Sequence, residues 1–212
     1  VGRSAGGPPA QLRPGKVWED LAVDLFLGNL TCGSWGWADP AVVWFLNFWK
    51  EFDPQVRFLF VYASPQAVAA RALMADTVSP TQIDEAVASW AAYQLEILHF
   101  YHRNRDRCLL VNALAPAVAP ERFVRRVASA FELDLAVPAA LDIPGAQAPS
   151  AIASALVEGL LGASSEPQAL YAELESCADL PEGEAGMSVV GWGPAWGEYR
   201  RLVRDLTKAE EA

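Results

Sequence analysis

The sequence has few of the residues that build metal sites and disulfide frameworks. Its 212 residues include three cysteines and two histidines. Cys32, Cys108 and Cys177 are odd in number and far apart, and no Cys-x-x-Cys or Cys/His ligand spacing occurs. The sequence therefore supports neither a disulfide framework nor a zinc site. We expect reduced thiols, as in an intracellular protein, and no metal.

Positive charge is also scarce. Lys and Arg number 16 against 26 Asp and Glu, which gives a formal net charge of −10. A nucleic-acid-binding surface needs basic residues to neutralise phosphates, so the composition argues against a nucleic-acid partner. The one basic run, residues 102–107, is expected to solvate the end of a helix, where cations also suit the helix dipole.

No apolar run is long enough to suggest a membrane-spanning segment. A spanning helix needs about 20 predominantly apolar residues in succession, and the sequence has no such stretch. The first residues also lack the basic-then-apolar pattern of a secretion signal. These absences predict a cytoplasmic protein without a membrane span.

What the sequence does contain is the pattern of an α/β domain. Hydrophobic residues make up 52% of the chain, enough for a sizeable core. Two continuous apolar runs, residues 56–63 and 108–113, have the length of strands covered on both faces. Helical patterns lie before, between and after them. This order implies a parallel sheet with right-handed crossovers and covered faces.

Two serines mark predicted helix starts. Ser64 and Ser79 are each followed by proline, and a serine cap with proline at the first helical position typically begins a helix. The helix after Ser79 is predicted to be the longest. Its core-facing stripe follows spacings of three and four: Ala86, Trp90, Tyr93, Ile97 and Tyr101.

We divide the chain into three parts. Residues 1–15 are predicted to be a flexible Gly/Pro-rich leader, residues 16–178 an α/β domain, and residues 179–212 an acidic loop followed by a helix. That last helix has apolar residues on one side: Trp196, Tyr199, Leu202, Val203 and Leu206. It either packs back on the domain or supplies a surface for a partner.

Tryptophan is abundant, with eight residues in the chain. Four of them, Trp35, Trp37, Trp44 and Trp49, lie close together in the sequence. This group indicates either a Trp-rich core or an aromatic platform for a ligand.

The order of these features resembles the sulfotransferase family, specifically its bacterial branch associated with polysaccharides and other glycans. The resemblance is carried by "WGWADPA" (35–41), "FW" (48–49), "FLFVYASP" (58–65), "VAARAL" (68–73), "SWAAYQLEIL" (89–98), "CLLVNA" (108–113), "ERFVRRVASAFEL" (121–133) and "LYAELE" (170–175). It implies a P-loop-like parallel sheet covered by helices, with a helix-rich C-terminal part.

The resemblance also implies a cofactor. Family members bind 3′-phosphoadenylyl sulfate and transfer its sulfuryl group to a hydroxyl or an amine. Their phosphosulfate loop, rich in Gly, Ser and Thr, follows the first strand and holds the anion with backbone N–H groups. The resemblance places Arg3 and Ser4 in this loop. Because no strand pattern precedes them, we expect the sheet to lack or alter its first strand.

The family's cationic positions are altered here. Its Lys falls on Ala38, its next Arg on Ala41, its 3′-phosphate Arg on Ala63 and its 3′-phosphate Ser on Arg71. A charge-assisted hydrogen bond contributes about 1.5–3 kcal/mol, so the loss of three cations predicts much weaker cofactor binding. Arg71 either compensates for Ala63 or is a solvated surface arginine. The remaining candidate cofactor-binding residues are Arg3, Ser4, Ser64 and Arg71.

A catalytic base is harder to assign. His99 and His102 are the two histidines and lie near the end of the predicted long helix. His102 is the candidate base, and the alternative is a surface role at the helix end. The carboxylates at 84–85 are interpreted as a helix start, and those at 182 and 184 as a solvated loop.

Three functional hypotheses follow. The first is a sulfotransferase-like domain that has lost cofactor binding and serves as a glycan-associated or interaction module. The second is an active sulfotransferase acting on a polysaccharide or another hydroxylated acceptor, with positive charge from Arg3, Arg71 or a partner chain. The third is a structural domain in which the Trp-rich unit and the last helix form an oligomer interface.

Overall fold

A computed structural model describes residues 12–74, 79–137, 150–162, 165–182 and 192–210. Its helices and strands are α1 (Lys16–Gly28), a 3-10 helix (Pro40–Phe45), α2 (Leu46–Phe52), β1 (Phe58–Tyr62), α3 (Pro65–Leu73), α4 (Pro80–Arg103), a second 3-10 helix (Arg105–Arg107), β2 (Cys108–Asn112), α5 (Ala115–Val118), α6 (Pro120–Phe131), α7 (Ala151–Leu161), α8 (Glu166–Cys177) and α9 (Trp192–Glu210). The described chain is thus a helix-rich α/β fold.

β1 and β2 pair in parallel along their whole length, which confirms the pairing expected from the order of elements. A third segment joins the other side of β2. There the N–H of Asn112 donates to the carbonyl of Leu180, and the N–H of Asp179 donates to the carbonyl of Leu110, both at 2.8 Å. β2 is therefore central, and all five of its residues are buried.

The described residues cover only one face of β1. Phe58, Phe60 and Tyr62 are buried, whereas Leu59 is 39% and Val61 48% exposed. The prediction of a strand covered on both faces is therefore confirmed for β2 and wrong for β1. Coverage of a strand's face depends on the elements that pack over it, and the described residues leave the face of β1 that carries Leu59 and Val61 partly open.

The main core lies between the sheet and α4. This helix begins with a capping box, in which the Ser79 hydroxyl accepts from the N–H of Gln82 and the Gln82 side chain accepts from the N–H of Ser79. The helix start predicted at Ser79 is confirmed. Trp90, Ile97 and Tyr101 of the predicted stripe are buried in this core.

The C-terminal helices form a second layer. α7 packs on α3 and on α9, and Val157 of α7 is buried in a second apolar cluster with residues of α3 and α4. α9 packs back on the domain through Ala195, which is 6% exposed, while Trp196 and Tyr199 beside it are 61% and 50% exposed. Four residues of the apolar side predicted for the last helix, Trp196, Tyr199, Leu202 and Val203, are thus exposed, while the side chain of Leu206 lies outside the described residues.

None of the helices in the described part of the chain is long and apolar enough to cross a membrane. The three cysteines are free, with Cys32 exposed and Cys108 buried. Burial raises the pKa of Cys108 to about 12, so this side chain is an unreactive thiol of the core.

Arg107, at the end of the basic run, has a structural role. Its guanidinium donates to the carbonyls of Lys50 at 3.3 Å, Asp53 at 2.8 Å and Val56 at 2.9 Å. It therefore ties the end of α2 and the turn before β1 to the start of β2. The expectation of a solvated basic run is wrong at this position, although Arg103 is exposed.

Replacing Arg107 with glutamine is expected to lower the free energy of unfolding by about 1.5–3 kcal/mol, because partly buried carbonyls lose a charged donor. Urea denaturation followed by circular dichroism measures the change. Arg103→Gln removes the same charge from an exposed helix end and should cost less than about 1 kcal/mol. Equal losses in the two variants would contradict the structural role of Arg107.

Candidate functional site

The carboxyl ends of β1 and β2 carry a cluster of polar side chains. Tyr62 and Asn112 are the last residues of the two strands and lie opposite each other in the sheet. Ligands of open α/β sheets bind outside this edge, which makes it the candidate site. We call the following residues the strand-end cluster: Tyr62, Asn112, Tyr171, Glu175 and Glu182.

Glu175, on α8, is the centre of this cluster. Its Oε1 accepts from the Tyr62 hydroxyl at 2.6 Å and from Nδ2 of Asn112 at 2.9 Å. Its Oε2 accepts from the backbone N–H of Glu182 at 2.9 Å. α8 can reach the strand ends because the neighbouring Leu174 is fully buried in the main core. One carboxylate therefore joins both strands to the segment that follows α8.

Tyr171, one turn before Glu175 on α8, extends the cluster. Its hydroxyl accepts from Nδ2 of Asn112 at 3.2 Å and donates to Oε2 of Glu182. Glu182 is half-buried, with both its N–H and its carboxylate bonded. The interpretation of Glu182 as part of a solvated loop is therefore wrong, because Tyr171 and Glu175 hold it at the sheet edge. Residue 184 lies outside the described residues.

Burial and the two carboxylates keep the cluster tyrosines protonated. Burial first, and then the hydrogen bond to Glu175, raises the pKa of Tyr62 far above its ordinary value. Burial and the hydrogen bond to Glu182 do the same to the pKa of Tyr171. Both phenols are therefore fixed as hydrogen-bond donors. The cluster is a set of neutral donors directed at two carboxylates.

A second carboxylate network lies behind this edge. Oδ2 of Asp179 accepts from the N–H of Leu110 and from the Tyr101 hydroxyl, both at 3.0 Å, and Oδ1 pairs with Arg126 at 2.6 Å. Burial and this carboxylate raise the pKa of Tyr101 to about 12. Arg126 of α6 is thus engaged by an acidic side chain.

The segments that carry the family resemblance meet on α4. The indole N–H of Trp90 donates to the carbonyl of Ala63 at 3.0 Å. Three residues further along α4, burial and the nearby Asp39 carboxylate raise the pKa of Tyr93. Asp39 itself caps the first 3-10 helix by accepting from the N–H of Ala41 at 2.8 Å. Ala41 and Ala63 therefore lie near one stretch of α4, with methyl groups where the resemblance implies cations.

The other candidate cofactor-binding residues are distributed differently. Ser64 caps α3, and its Oγ accepts from the N–H of Ala67 at 3.1 Å. Arg71 is exposed on α3, and Ala38 is exposed before the 3-10 helix. Arg3 and Ser4 lie outside the described residues. Within the described chain, the donors to Glu175 are neutral: the Tyr62 hydroxyl, the Asn112 amide and the N–H of Glu182.

His102 does not have the geometry of an activated base. Its Nε2 lies 3.9 Å from Sγ of Cys177 and 3.9 Å from Oε1 of Glu173. Both contacts involve the same ring nitrogen, whereas a base that activates a nucleophile is oriented through its other nitrogen. His99 is exposed. In the described ranges, no group of three His, Cys, Asp or Glu side chains could hold a metal ion.

The tryptophan group divides between core and surface. Trp44 and Trp49 pack against the main core. Trp35 and Trp37 stack with ring centroids 5.4 Å apart, and both contact Phe26 of α1. Trp37 is 40% exposed. The group therefore combines core packing with one ring that is open to solvent.

The strand-end cluster was missed as a site in the sequence. Tyr62 and Asn112 end the two predicted strands, and parallel strands bring their carboxyl ends to one edge, so a signal for these two residues existed. Glu175 gave no local signal, because the docking of α8 on the sheet is a long-range contact.

In comparisons with known proteins, no family model, no curated protein and no solved structure matched the chain. The arrangement of its own side chains is therefore the ground on which a function is proposed.

Replacing Glu175 with glutamine is expected to lower the free energy of unfolding by about 1–3 kcal/mol. Both carboxylate oxygens of Glu175 accept hydrogen bonds, so the N–H₂ group of the glutamine would face donors where an acceptor is needed. A buried donor is then left unsatisfied. Glu173→Gln, on the exposed side of the same helix, is the matched control and should change stability by less than about 0.5 kcal/mol. Urea denaturation compares the two, and equal effects would contradict the central role of Glu175.

The raised tyrosine pKa values predict a loss of stability at alkaline pH. The pKa of Tyr101 rises from 10.0 to about 12, and burial also raises those of Tyr62 and Tyr171. Above pH 10 the unfolded chain loses these protons while the folded chain keeps them. These tyrosines should therefore contribute their full stabilisation below pH 10. The free energy of unfolding should fall as the pH rises from 10 through about 12.

Urea denaturation at successive pH values from 9 to 12 measures this slope, with tyrosinate absorbance as the titration signal. Tyr62→Phe removes one of the protons and should give a shallower decline above pH 10. A decline of the same steepness in wild type and in Tyr62→Phe would contradict the assignment to Tyr62.

Proposed function

We propose that this chain is a sulfotransferase-like domain that no longer holds 3′-phosphoadenylyl sulfate and that acts as a glycan-associated or interaction module. The observation that carries the proposal is the electrostatics of the cofactor positions. Alanine stands at 38, 41 and 63, and two carboxylates occupy the carboxyl edge of the sheet.

The absence of these cations alone strongly weakens the binding of a polyanionic ligand. A sulfated nucleotide with a 3′-phosphate is held by charge-assisted and bidentate contacts. Each such contact contributes about 1.5–3 kcal/mol, and about 1.4 kcal/mol is a factor of ten in the dissociation constant. Three lost contacts therefore lower affinity by several orders of magnitude.

The carboxylates oppose the same ligand. Glu175 and Glu182 lie at the edge where a parallel sheet receives its ligand, and like charges in a partly buried site repel a phosphate. Arg126 is already paired with Asp179. The described donors to Glu175 are a phenol, an amide and a backbone N–H, and none of these neutral groups offsets its charge.

A P-loop-like sheet is part of this proposal. The parallel β1–β2 pair is the portion of such a sheet that the described residues supply. Leu59 and Val61 lie on the open face of β1. In larger parallel sheets, such an apolar face is covered by a layer of helices. A partner role is supported by aromatic rings at the surface, Trp37 and Trp196, which suit the apolar face of a sugar or a protein side chain.

Isothermal titration with 3′-phosphoadenosine 5′-phosphate tests the loss of the cofactor site. We expect no heat of binding in the micromolar range. Micromolar binding, or transfer of labelled sulfate to a glycan acceptor, would support an active sulfotransferase instead and overturn the proposal.

A gain-of-binding variant tests the resemblance itself. Ala38→Lys, Ala41→Arg and Ala63→Arg combined should increase affinity for the nucleotide at least tenfold, because they restore the family's cations. The matched control places the same charges on exposed small residues of α4, α6 and α8: Ala88→Lys, Ser129→Arg and Ala172→Arg. Equal gains in both variants would show non-specific charge attraction and count against the resemblance.

A further inference from the structure

Two helices expose apolar stripes with the same spacing. On α1 the exposed fractions are 67% for Trp18, 51% for Leu21 and 39% for Leu25. On α9 they are 61% for Trp196, 50% for Tyr199 and 43% for Val203. In each helix these residues follow a spacing of three and then four, the pattern of a helix face that packs against another helix. Both stripes begin with tryptophan.

Each stripe is flanked by a row of charge, and the two rows have opposite signs. Asp20 and Asp24 are exposed on α1, on the side of the stripe away from the buried Ala22. Arg200 and Arg204 are exposed on α9, on the side away from the buried Ala195. In both rows the spacing is four residues, one helical turn.

These charges are not paired within the described chain. The ion pairs among described residues involve His102 with Glu173, Arg125 with Glu121, and Arg126 with Asp179. The acidic row and the basic row are therefore both available to a partner.

We propose that α1 of one copy of this chain packs along α9 of a second copy. The apolar stripes would bury one another, and the Asp20/Asp24 row would face the Arg200/Arg204 row. When both helices are viewed from their N-termini, the acidic row lies on one side of its stripe and the basic row on the other side of its own. Two parallel helices that face each other therefore bring the two rows together. In such helix pairs the stripes supply affinity and the flanking charges set partner choice and orientation.

A second copy is the occupant that the charges favour. The chain has a net charge of −10, so the arginine row on α9 is an exception that fits an acidic helix. Every copy carries such a helix in α1, with the matching spacing. Because the contact joins two different surfaces, it closes as a ring, of which a two-fold dimer is the smallest, or continues as an open chain. This association is independent of cofactor binding.

Two charge-reversal variants test the contact by sedimentation velocity. Wild type is expected to associate as its concentration rises. Asp20→Lys with Asp24→Lys gives a chain in which both rows are basic, and Arg200→Glu with Arg204→Glu gives one in which both are acidic. Each variant alone should associate at least tenfold more weakly. An equimolar mixture of the two should associate as wild type does, because each supplies the row that the other lacks.

The matched control is Asp84→Lys with Glu85→Lys, which makes the same charge change on exposed positions of α4 and should leave association intact. Far-UV circular dichroism verifies that all variants are folded. A wild type that remains monomeric at every concentration would overturn the proposal. So would reversal variants that associate like wild type, or a mixture that remains as weakly associated as its components.

Discussion

The hydrogen bonds to Glu175 are the constraint on which the described arrangement of this domain depends. The two parallel strands end in polar side chains, Tyr62 and Asn112, which are 1% and 2% exposed. A buried polar group without a partner costs about 1–3 kcal/mol. The carboxylate on α8 bonds both side chains and the backbone of residue 182 as well. These hydrogen bonds to Glu175 hold α8 over the sheet edge and fix the position of the segment that follows it.

Hydrogen bonds within the fold also engage backbone N–H groups near this edge. In parallel sheets that bind phosphate, backbone N–H groups after the strands are free to donate. Here the N–H of Asn112 donates to the carbonyl of Leu180, and that of Leu114 donates to Oδ1 of Asn112 at 2.9 Å. The N–H of Glu182 donates to Glu175. These three backbone donors near the edge are thus bonded within the fold.

What could be predicted from the sequence is what neighbouring residues determine. The helix start at Ser79 and the position of β2 were correct, because capping and apolar runs are local signals. The open face of β1, shown by Val61, was not predicted, since it depends on which element packs over it. Glu182 and Arg107 were interpreted as solvated for the same reason. Their partners lie 7 to 57 positions away in the chain.

Alanine at 63 and carboxylates at the strand ends are consistent with one electrostatic requirement. Every donor to Glu175 is neutral: a phenol, an amide and a backbone N–H. A carboxylate satisfied in this way needs no cation beside it, and an arginine one residue after Tyr62 would compete for it. A dianion at the same edge would instead need that arginine and would be repelled by Glu175 and Glu182. The described donors to Glu175 fit an internal acid with neutral partners, and the proposed loss of the cofactor rests on this arrangement.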